Sequence, residues 1–245
     1  MLTNETLIKL TNLKQTTREN LFREYSQHLF LSALYQQKGS EKLLFKGGTA
    51  LRIIFQSPRF SEDLDFTAVN LNKRQIEDIL TETLVLLERA SFVVELKEGK
   101  LTSGGYLALI SFSFPSIQVE IKLEISLRKT HILKAQRALI VNDYLPAFTL
   151  AHLPEDALVK EKVQTLLERE KPRDFYDFWF FLAHNFSAVK SEQVLNKVLD
   201  LLKKNKLDFN RELKKFLPAS QAQQVKNFRP DLERKILMFL SKNKV

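Results

Sequence analysis

A pair of glycines followed closely by two alternating aspartates is the feature that most constrains this 245-residue chain. Gly47 and Gly48 end an apolar stretch and precede Thr49, which predicts a tight turn into a helix whose first N–H groups can bind an anion. Asp63 and Asp65 stand two residues apart beside apolar neighbours, which predicts two carboxylates on one face of a strand. Such carboxylates can hold a divalent cation, so the two motifs together indicate phosphate chemistry.

Each motif alone has an ordinary explanation, because paired glycines are most often a turn and alternating aspartates are most often solvated charge. Their combination is more specific, with thirteen residues separating Thr49 from Asp63. This spacing resembles that of the polymerase-β-like nucleotidyltransferase superfamily. The stretches Lys46–Leu51 and Arg59–Phe66 further resemble the AbiEii/AbiGii toxin family, the nucleotidyltransferase toxins of type IV toxin–antitoxin systems, which also includes the MenT toxins.

Composition excludes several other classes of protein. The chain has no cysteine, which rules out disulfides and cysteine-ligated zinc, and its four histidines are scattered without metal-ligand spacing. The N-terminus lacks the pattern of a signal peptide, and no apolar run reaches the ~18 residues of a membrane span. We therefore expect a cytoplasmic protein without membrane contact.

Hydrophobic periodicity divides the chain into a mixed part and a helical part. Helices are predicted over 16–37 and 72–90, and strands over 92–97, 106–114 and 118–127, with Ser103-Gly104-Gly105 as a hairpin turn. Beyond Pro146 the pattern is helical throughout, punctuated by Pro154, Pro172, Pro218 and Pro230. We predict an α+β architecture: a nucleotidyltransferase-fold domain over 1–150, with N-terminal helices and a small mixed sheet flanked by helices, and an all-helical C-terminal lobe over 151–245.

The strand around residue 122 offers a third carboxylate. Strict alternation places Glu120, Lys122 and Glu124 on one face of the strand and aliphatic residues on the other. From the pattern alone, either glutamate could bind metal, or the face could be an ordinary exposed edge. Resemblance to the Lys-x-Glu-Ile-Ser run of the toxin family implies Glu124.

A second charged motif lies at the start of the helical part. Lys162 and Arg169 are seven residues apart on one helical face, and the next helix carries Arg173, Asp174 and Asp177. An i, i+4 pair of Arg173 with Asp177 would explain these charges without any function. Resemblance to the second signature of the toxin family implies that Lys162 contacts a triphosphate and that Asp177 orients the lysine or a substrate hydroxyl. Arg173 and Asp174 are then secondary candidates.

The excess positive charge lies at the C-terminus. The whole chain carries +9, and residues 190–245 contain fourteen Lys or Arg and six Asp or Glu, a balance of +8. A basic helical tail suits a phosphate-rich partner such as RNA, although a solvated, solubilising face is an equal alternative.

The resemblance implies a toxin that transfers a nucleoside monophosphate from a nucleoside triphosphate to RNA such as tRNA, held in check by an antitoxin encoded nearby. We expect Mg²⁺ or Mn²⁺ as cofactor, with the nucleotide bound in a groove between the two parts. The expected catalytic residues are Asp63, Asp65, Lys162 and Asp177, and the expected metal ligands are Asp63, Asp65 and Glu124. The expected nucleotide-binding residues are Lys46, Gly47, Gly48, Thr49, Arg59, Ser61 and Arg173.

Two other functions are compatible with the same sequence. One is transfer of the nucleotide to a small molecule or to a protein hydroxyl. The other is a catalytically silent RNA- or protein-binding module on the same scaffold. The basic tail favours RNA as acceptor, and the joint presence of both motifs favours an enzyme.

Overall fold

The computed structural model describes residues 2–128 and 134–242. The chain forms two compact units, one from residues 1–56 and 60–154 and the other from residues 57–59 and 155–245. The sequence predicted a nucleotidyltransferase domain over 1–150 and a helical lobe over 151–245. The functions assigned to these two domains stay predictions. Residues 243–245 of the predicted basic tail lie outside the described residues.

The first unit combines helices with strands. Its helices are α1 (Asn4–Leu13), α2 (Arg18–Leu34), α3 (Gly47–Phe55) and α4 (Lys73–Arg89). Its strands are β1 (Leu43–Lys46), β2 (Leu64–Val69), β3 (Val93–Thr102), β4 (Gly105–Phe114), β5 (Ile117–Arg128), β6 (Gln136–Ile140) and β7 (Phe148–His152).

The strands form one mixed sheet in the order β3-β4-β5-β2-β1-β7-β6. The pairs β2–β5 and β1–β7 are parallel, and the other neighbours are antiparallel. All four residues of β1 are buried, as expected for a strand near the middle of a sheet. The predicted mixed sheet is therefore confirmed, and it extends beyond the strands located from the sequence.

Helices pack on this sheet through apolar side chains. Helix α2 contacts α4 and β5, and α3 contacts β1 and β2. Helix α4 begins with a capping box in which Asn72 and Gln75 exchange side-chain-to-backbone hydrogen bonds, which fixes its start at the predicted place.

The predicted hairpin turn at Ser103-Gly104-Gly105 is confirmed, because Thr102 of β3 pairs with Gly105 of β4. A Cβ at Gly105 would lie 1.9 Å from the carbonyl oxygen of Ile125, so β5 approaches this strand too closely for any side chain.

The second unit is helical, as predicted. The prediction of helix directly beyond Pro146 was wrong, because Phe148–His152 form β7 and the first helix begins only at Glu155. Its α-helices are α5 (Glu155–Arg169), α6 (Pro172–Ala183), α7 (Glu192–Lys204), α8 (Phe209–Leu213), α9 (Ala222–Lys226) and α10 (Phe228–Lys242). Pro172 occupies the first position of α6, where its missing N–H costs no hydrogen bond. Aromatic rings join three of the helices, since Tyr176 stacks on Phe228 at 5.7 Å and Phe175 meets Phe209 edge-on at 5.7 Å. Among the helices of residues 2–128 and 134–242, none is long and apolar enough to cross a membrane.

Candidate active site

Three predicted site residues lie side by side across the centre of the sheet. Asp65 of β2 pairs in register with Lys46 of β1 on one side and with Glu124 of β5 on the other. Residues directly opposite each other on neighbouring strands share one face, so these three side chains leave the same face of the sheet. The Nζ of Lys46 lies 3.4 Å from the hydroxyl of Ser126, two residues beyond Glu124 on that face. We call Lys46, Asp65 and Glu124 the central row.

The glycine turn lets Asp65 approach the start of α3. Gly47 has φ of +80°, and a Cβ built on it would lie 1.9 Å from Oδ2 of Asp65. Only glycine therefore satisfies both the backbone conformation and the close contact. This contact gives a physical reason for finding the glycine pair and the aspartate pair together in the sequence.

The segment before Asp65 is fixed by two buried side chains. The hydroxyl of Thr49, which is fully buried, donates to the carbonyl oxygen of Asp63 at 2.5 Å. The side-chain amide of Gln27 on α2 donates to the carbonyl oxygens of Ser61 and Glu62 at 2.9 and 3.0 Å. Asp63 lies one residue before β2 rather than inside the strand. The predicted phosphate contact of Thr49 stays a prediction, since its hydroxyl here positions the aspartate segment.

Helix α3 is also tied to α2 by a buried ion pair. Arg52 donates to both carboxylate oxygens of Glu24, at 2.8 and 3.3 Å, and its guanidinium lies 4.0 Å from the ring of Phe60. The hydroxyl of Tyr144 donates to the same carboxylate at 2.8 Å. Burial would raise the pKa of Glu24, but Arg52, with smaller effects from His28 and Tyr144, outweighs burial and lowers it. This cluster fixes the helix that begins with the glycine turn.

The carboxylates suit a divalent metal in chemistry but do not converge on one point. Mg²⁺ prefers oxygen ligands such as the carboxylates of Asp65 and Glu124. Where Asp65 faces Gly47, there is no room for another side chain. Within the described residues, however, no group of three or more His, Asp or Glu side chains is arranged to hold a metal ion. The carboxylate of Glu124 is instead hydrogen-bonded to Lys122. Asp63 and Asp65 as metal ligands therefore stay predictions, and so does Glu124 as third ligand, with Glu120 as the alternative.

The second predicted motif forms a buried ion network inside the second unit. Asp177 of α6, 1% exposed, accepts two hydrogen bonds from Arg59 at 2.8 and 3.0 Å and one from Lys162 of α5 at 2.9 Å. Burial alone would raise the pKa of Asp177, but the two cations outweigh it and hold the pKa below its usual value. The structure thus brings Arg59, Lys162 and Asp177 together, although Arg59 is more than a hundred residues away in sequence.

The secondary candidates of this motif have other partners. Arg169 donates to Asp174, which is 2% exposed, at 2.9 Å. Arg173 lies 3.9 Å from Glu212 of α8, so it faces this glutamate rather than Asp177, the i, i+4 residue that the sequence offered. Both aspartates of α6 are buried, because the helix packs on nearly all sides.

Several residues that shape the site carry no signal in the sequence. The contact partner of each is far away in sequence. Gln27 bonds to Ser61, 34 residues away, and Glu24 bonds to Arg52, 28 residues away. Tyr144 bonds to Glu24 across 120 residues. Each is an ordinary polar residue in a helix or loop, and its position would be found only from the fold. Lys122 was placed on the correct face, but its pairing with Glu124 was not predicted.

Residues 29–242 match the model of the family described as "Nucleotidyl transferase AbiEii toxin, Type IV TA system". The chain belongs to the AbiEii toxin family. The resemblance seen in the sequence motifs is thereby confirmed, and so is the class of enzyme, a nucleotidyltransferase. No curated protein is significantly similar to the chain in sequence.

Two solved structures from Helicobacter pylori are similar to this AbiEii family member over nearly their whole length. JHP933 shares 18% sequence identity at a TM-score of 0.65, and the match covers 93% of this chain and 94% of that one. A proposed nucleotidyltransferase shares 17% sequence identity at a TM-score of 0.61. This match covers 92% of this chain and 96% of that one. Identities this low show a common fold, and the predicted α+β nucleotidyltransferase architecture is confirmed.

Proposed function

We propose that this AbiEii nucleotidyltransferase transfers a nucleoside monophosphate from a nucleoside triphosphate to an RNA acceptor, such as a tRNA, with Mg²⁺ or Mn²⁺ as cofactor. The observation that carries the proposal is the central row, in which Asp65 and Glu124 stand in register beside the glycine turn of α3. Acidic oxygens next to helix N–H groups support the proposal, because a metal-bound triphosphate requires both surroundings.

The reaction is an in-line displacement at the α-phosphorus. An acceptor hydroxyl oxygen forms the new bond to this phosphorus, and the bond from the α-phosphorus to the oxygen that bridges it to the β-phosphate breaks. Pyrophosphate leaves with that oxygen, and the hydroxyl proton passes to solvent water. Divalent cations held by Asp63, Asp65 and Glu124 would supply charge stabilisation for the entering and leaving oxygens. The chain contributes position and charge rather than a covalent intermediate.

The remaining predicted residues have roles toward the nucleotide. The N–H groups of Gly47 and Gly48 begin α3 and suit a phosphate, and Thr49 and Ser61 are proposed to bind the nucleotide beside them. Lys46 supports the central row from β1, where it lies beside Ser126.

Lys162 is proposed to contact the triphosphate, and Asp177 to orient it. Their 2.9 Å hydrogen bond supports the orienting role. Arg59 shares Asp177 with the lysine, and Arg173 is a further candidate for charge neutralisation. A lysine held by a buried carboxylate keeps a fixed direction, which favours binding of a charged ligand.

RNA as acceptor is supported by the charge of the second unit. Five lysines of this unit are exposed: Lys203, Lys204, Lys206, Lys214 and Lys215. Family membership implies a cognate antitoxin, and we place the reaction in the cytoplasm, where nucleoside triphosphates and RNA occur together.

Transfer from [α-³²P]-labelled nucleoside triphosphates to a cell extract, followed by separation of RNA, protein and small molecules, tests this proposal. We expect Mg²⁺-dependent label in RNA. Label in protein or in a small molecule would instead support the alternative acceptors, and absence of transfer with all four nucleotides would support a silent binding module.

A further inference from the structure

A lysine stands among the carboxylates of the candidate metal site. Lys122 lies two residues before Glu124 on β5, so both side chains leave the face of the sheet that carries Asp65. Its ammonium group is hydrogen-bonded to Oε1 of Glu124. One of the three predicted metal ligands is therefore bonded to an ammonium group, at the strand position directly opposite Asp65.

This ammonium group occupies the carboxylate of Glu124, the predicted third metal ligand. Glu124 stands in register with Asp65, so the backbone already brings the third carboxylate to the correct strand and position. Its carboxylate is held by Lys122. Neighbouring carboxylates repel one another, and a lysine beside them supplies one positive charge on a flexible stem.

We propose that Lys122 is a resident counter-ion that keeps Glu124 from the metal until a nucleoside triphosphate arrives. The triphosphate then takes over the ammonium group, Glu124 is released, and the divalent cation gains its third carboxylate. The cation consequently binds weakly without nucleotide and tightly with it. This inference rests on the proposed metal role of Asp63 and Asp65, and it adds an order of binding to that role.

The sharpest test replaces the charge of Lys122 and keeps most of its stem. Lys122→Met removes the ammonium but retains an unbranched apolar chain. The matched control is Lys97→Met on β3, because Lys97 pairs with Glu95 at the same spacing of two residues, with a 2.6 Å separation, far from the metal ligands in sequence. Both variants lose one positive charge from a strand.

Binding of Mn²⁺ to the full chain, without nucleotide, can be measured by electron paramagnetic resonance. We expect Lys122→Met to bind Mn²⁺ at least about fivefold more tightly than the parent, the lower end of typical coupling between sites. Lys97→Met should bind like the parent. A non-hydrolysable triphosphate should tighten Mn²⁺ binding strongly in the parent and much less in Lys122→Met.

Adding Asp65→Asn separates the two ways in which the inference can fail. If Asp65→Asn weakens Mn²⁺ binding in both backgrounds but Lys122→Met binds no more tightly than the parent, the counter-ion role is overturned and the metal site stands. If Asp65→Asn leaves Mn²⁺ binding unchanged in both backgrounds, the proposed metal site is overturned together with the role of Lys122.

Discussion

Asp177 is a proposed site residue that is also part of a buried ion network. It is buried between Arg59 and Lys162, and removing it leaves the buried guanidinium of Arg59 without its bidentate partner. An uncompensated buried charge costs far more than the net contribution of the intact pair. Loss of activity in an Asp177 variant would therefore not by itself identify a catalytic group.

We predict that Asp177→Ala lowers the free energy of unfolding by about 3–5 kcal/mol, the usual cost of breaking a buried pair. Lys162→Met should cost much less, because Arg59 keeps its two hydrogen bonds to the carboxylate. Lys162→Met should nevertheless bind nucleotide more weakly and transfer it more slowly, since the lysine acts in both ground and transition states. Urea unfolding and nucleotide titration measure the two effects. Parent-like nucleotide affinity and rate in Lys162→Met would show that the lysine serves only the ion network.

At the residue scale, the sequence predicted the site residues that belong to one short stretch of the chain. Gly47 and Asp65 were identified together because the motif contains both, and the structure shows the physical contact behind it. Gln27 and Glu24 were not identified, because their partners are determined by the packing of α2. The hydrogen bond between Lys122 and Glu124 was not predicted, although both residues lie on one strand. Alternation predicts that two side chains share a face, but not that they bond to each other.

At the element scale, the strands that position the site differ in how visible they are in the sequence. Strand β5 alternates strictly over its inner residues and was located to within a few residues. Strand β1 has only four residues, all buried, and such a short apolar run cannot be distinguished from part of a helix by periodicity. Strands β6 and β7 were not predicted, and both lie toward one edge of the sheet.

The hairpin of β3 and β4 offers a matched pair of glycine substitutions. Gly105→Ala should lower the unfolding temperature, because its Cβ would lie 1.9 Å from the backbone oxygen of Ile125. Gly104→Ala, in the same turn, has no heavy atom within 4 Å of its new Cβ and should have little effect. Thermal unfolding followed by circular dichroism measures both. Equal unfolding temperatures for the two variants would contradict the close approach of β5 to this turn.

At the scale of the whole molecule, one buried histidine gives the stability a pH dependence. His28 on α2 is 4% exposed, and burial lowers its pKa from 6.5 to about 4. The charged groups that act on it are Glu24, Arg52, Lys14 and Asp143. Below pH 6.5 the unfolded chain takes up a proton that the folded chain takes up only near pH 4, so stability is lost as the pH falls through this window.

We predict that the free energy of unfolding falls by about 2 kcal/mol between pH 7 and pH 5 on account of His28, as proton linkage for these two pKa values requires. His28→Gln should remove most of this dependence, even if it lowers stability at pH 7. Urea unfolding at a series of pH values provides the measurement. The same slope in parent and variant would assign the acid sensitivity to other groups.

The basic second unit should bind RNA through phosphates rather than bases. Replacing Lys203, Lys204 and Lys206 by glutamine should weaken RNA binding and reduce the slope of log affinity against log salt. The reduction should be about 0.7 for each phosphate of a single strand that a lysine no longer neutralises. The control removes three exposed lysines of the first unit, Lys9, Lys97 and Lys100. If both triple variants bind RNA with the same affinity and slope, the tail is a solvated face and the acceptor binds elsewhere.

The most direct test of the proposed reaction centre compares transfer rates after single carboxylate-to-amide changes. Asp63→Asn and Asp65→Asn should each reduce transfer from a labelled nucleoside triphosphate by at least about a hundredfold, since removing a metal ligand costs several kcal/mol of transition-state stabilisation. Asp78→Asn, the same change at an exposed position of α4, should leave the rate within about twofold of the parent. Parent-like rates in Asp63→Asn or Asp65→Asn, with unchanged thermal unfolding, would contradict the account.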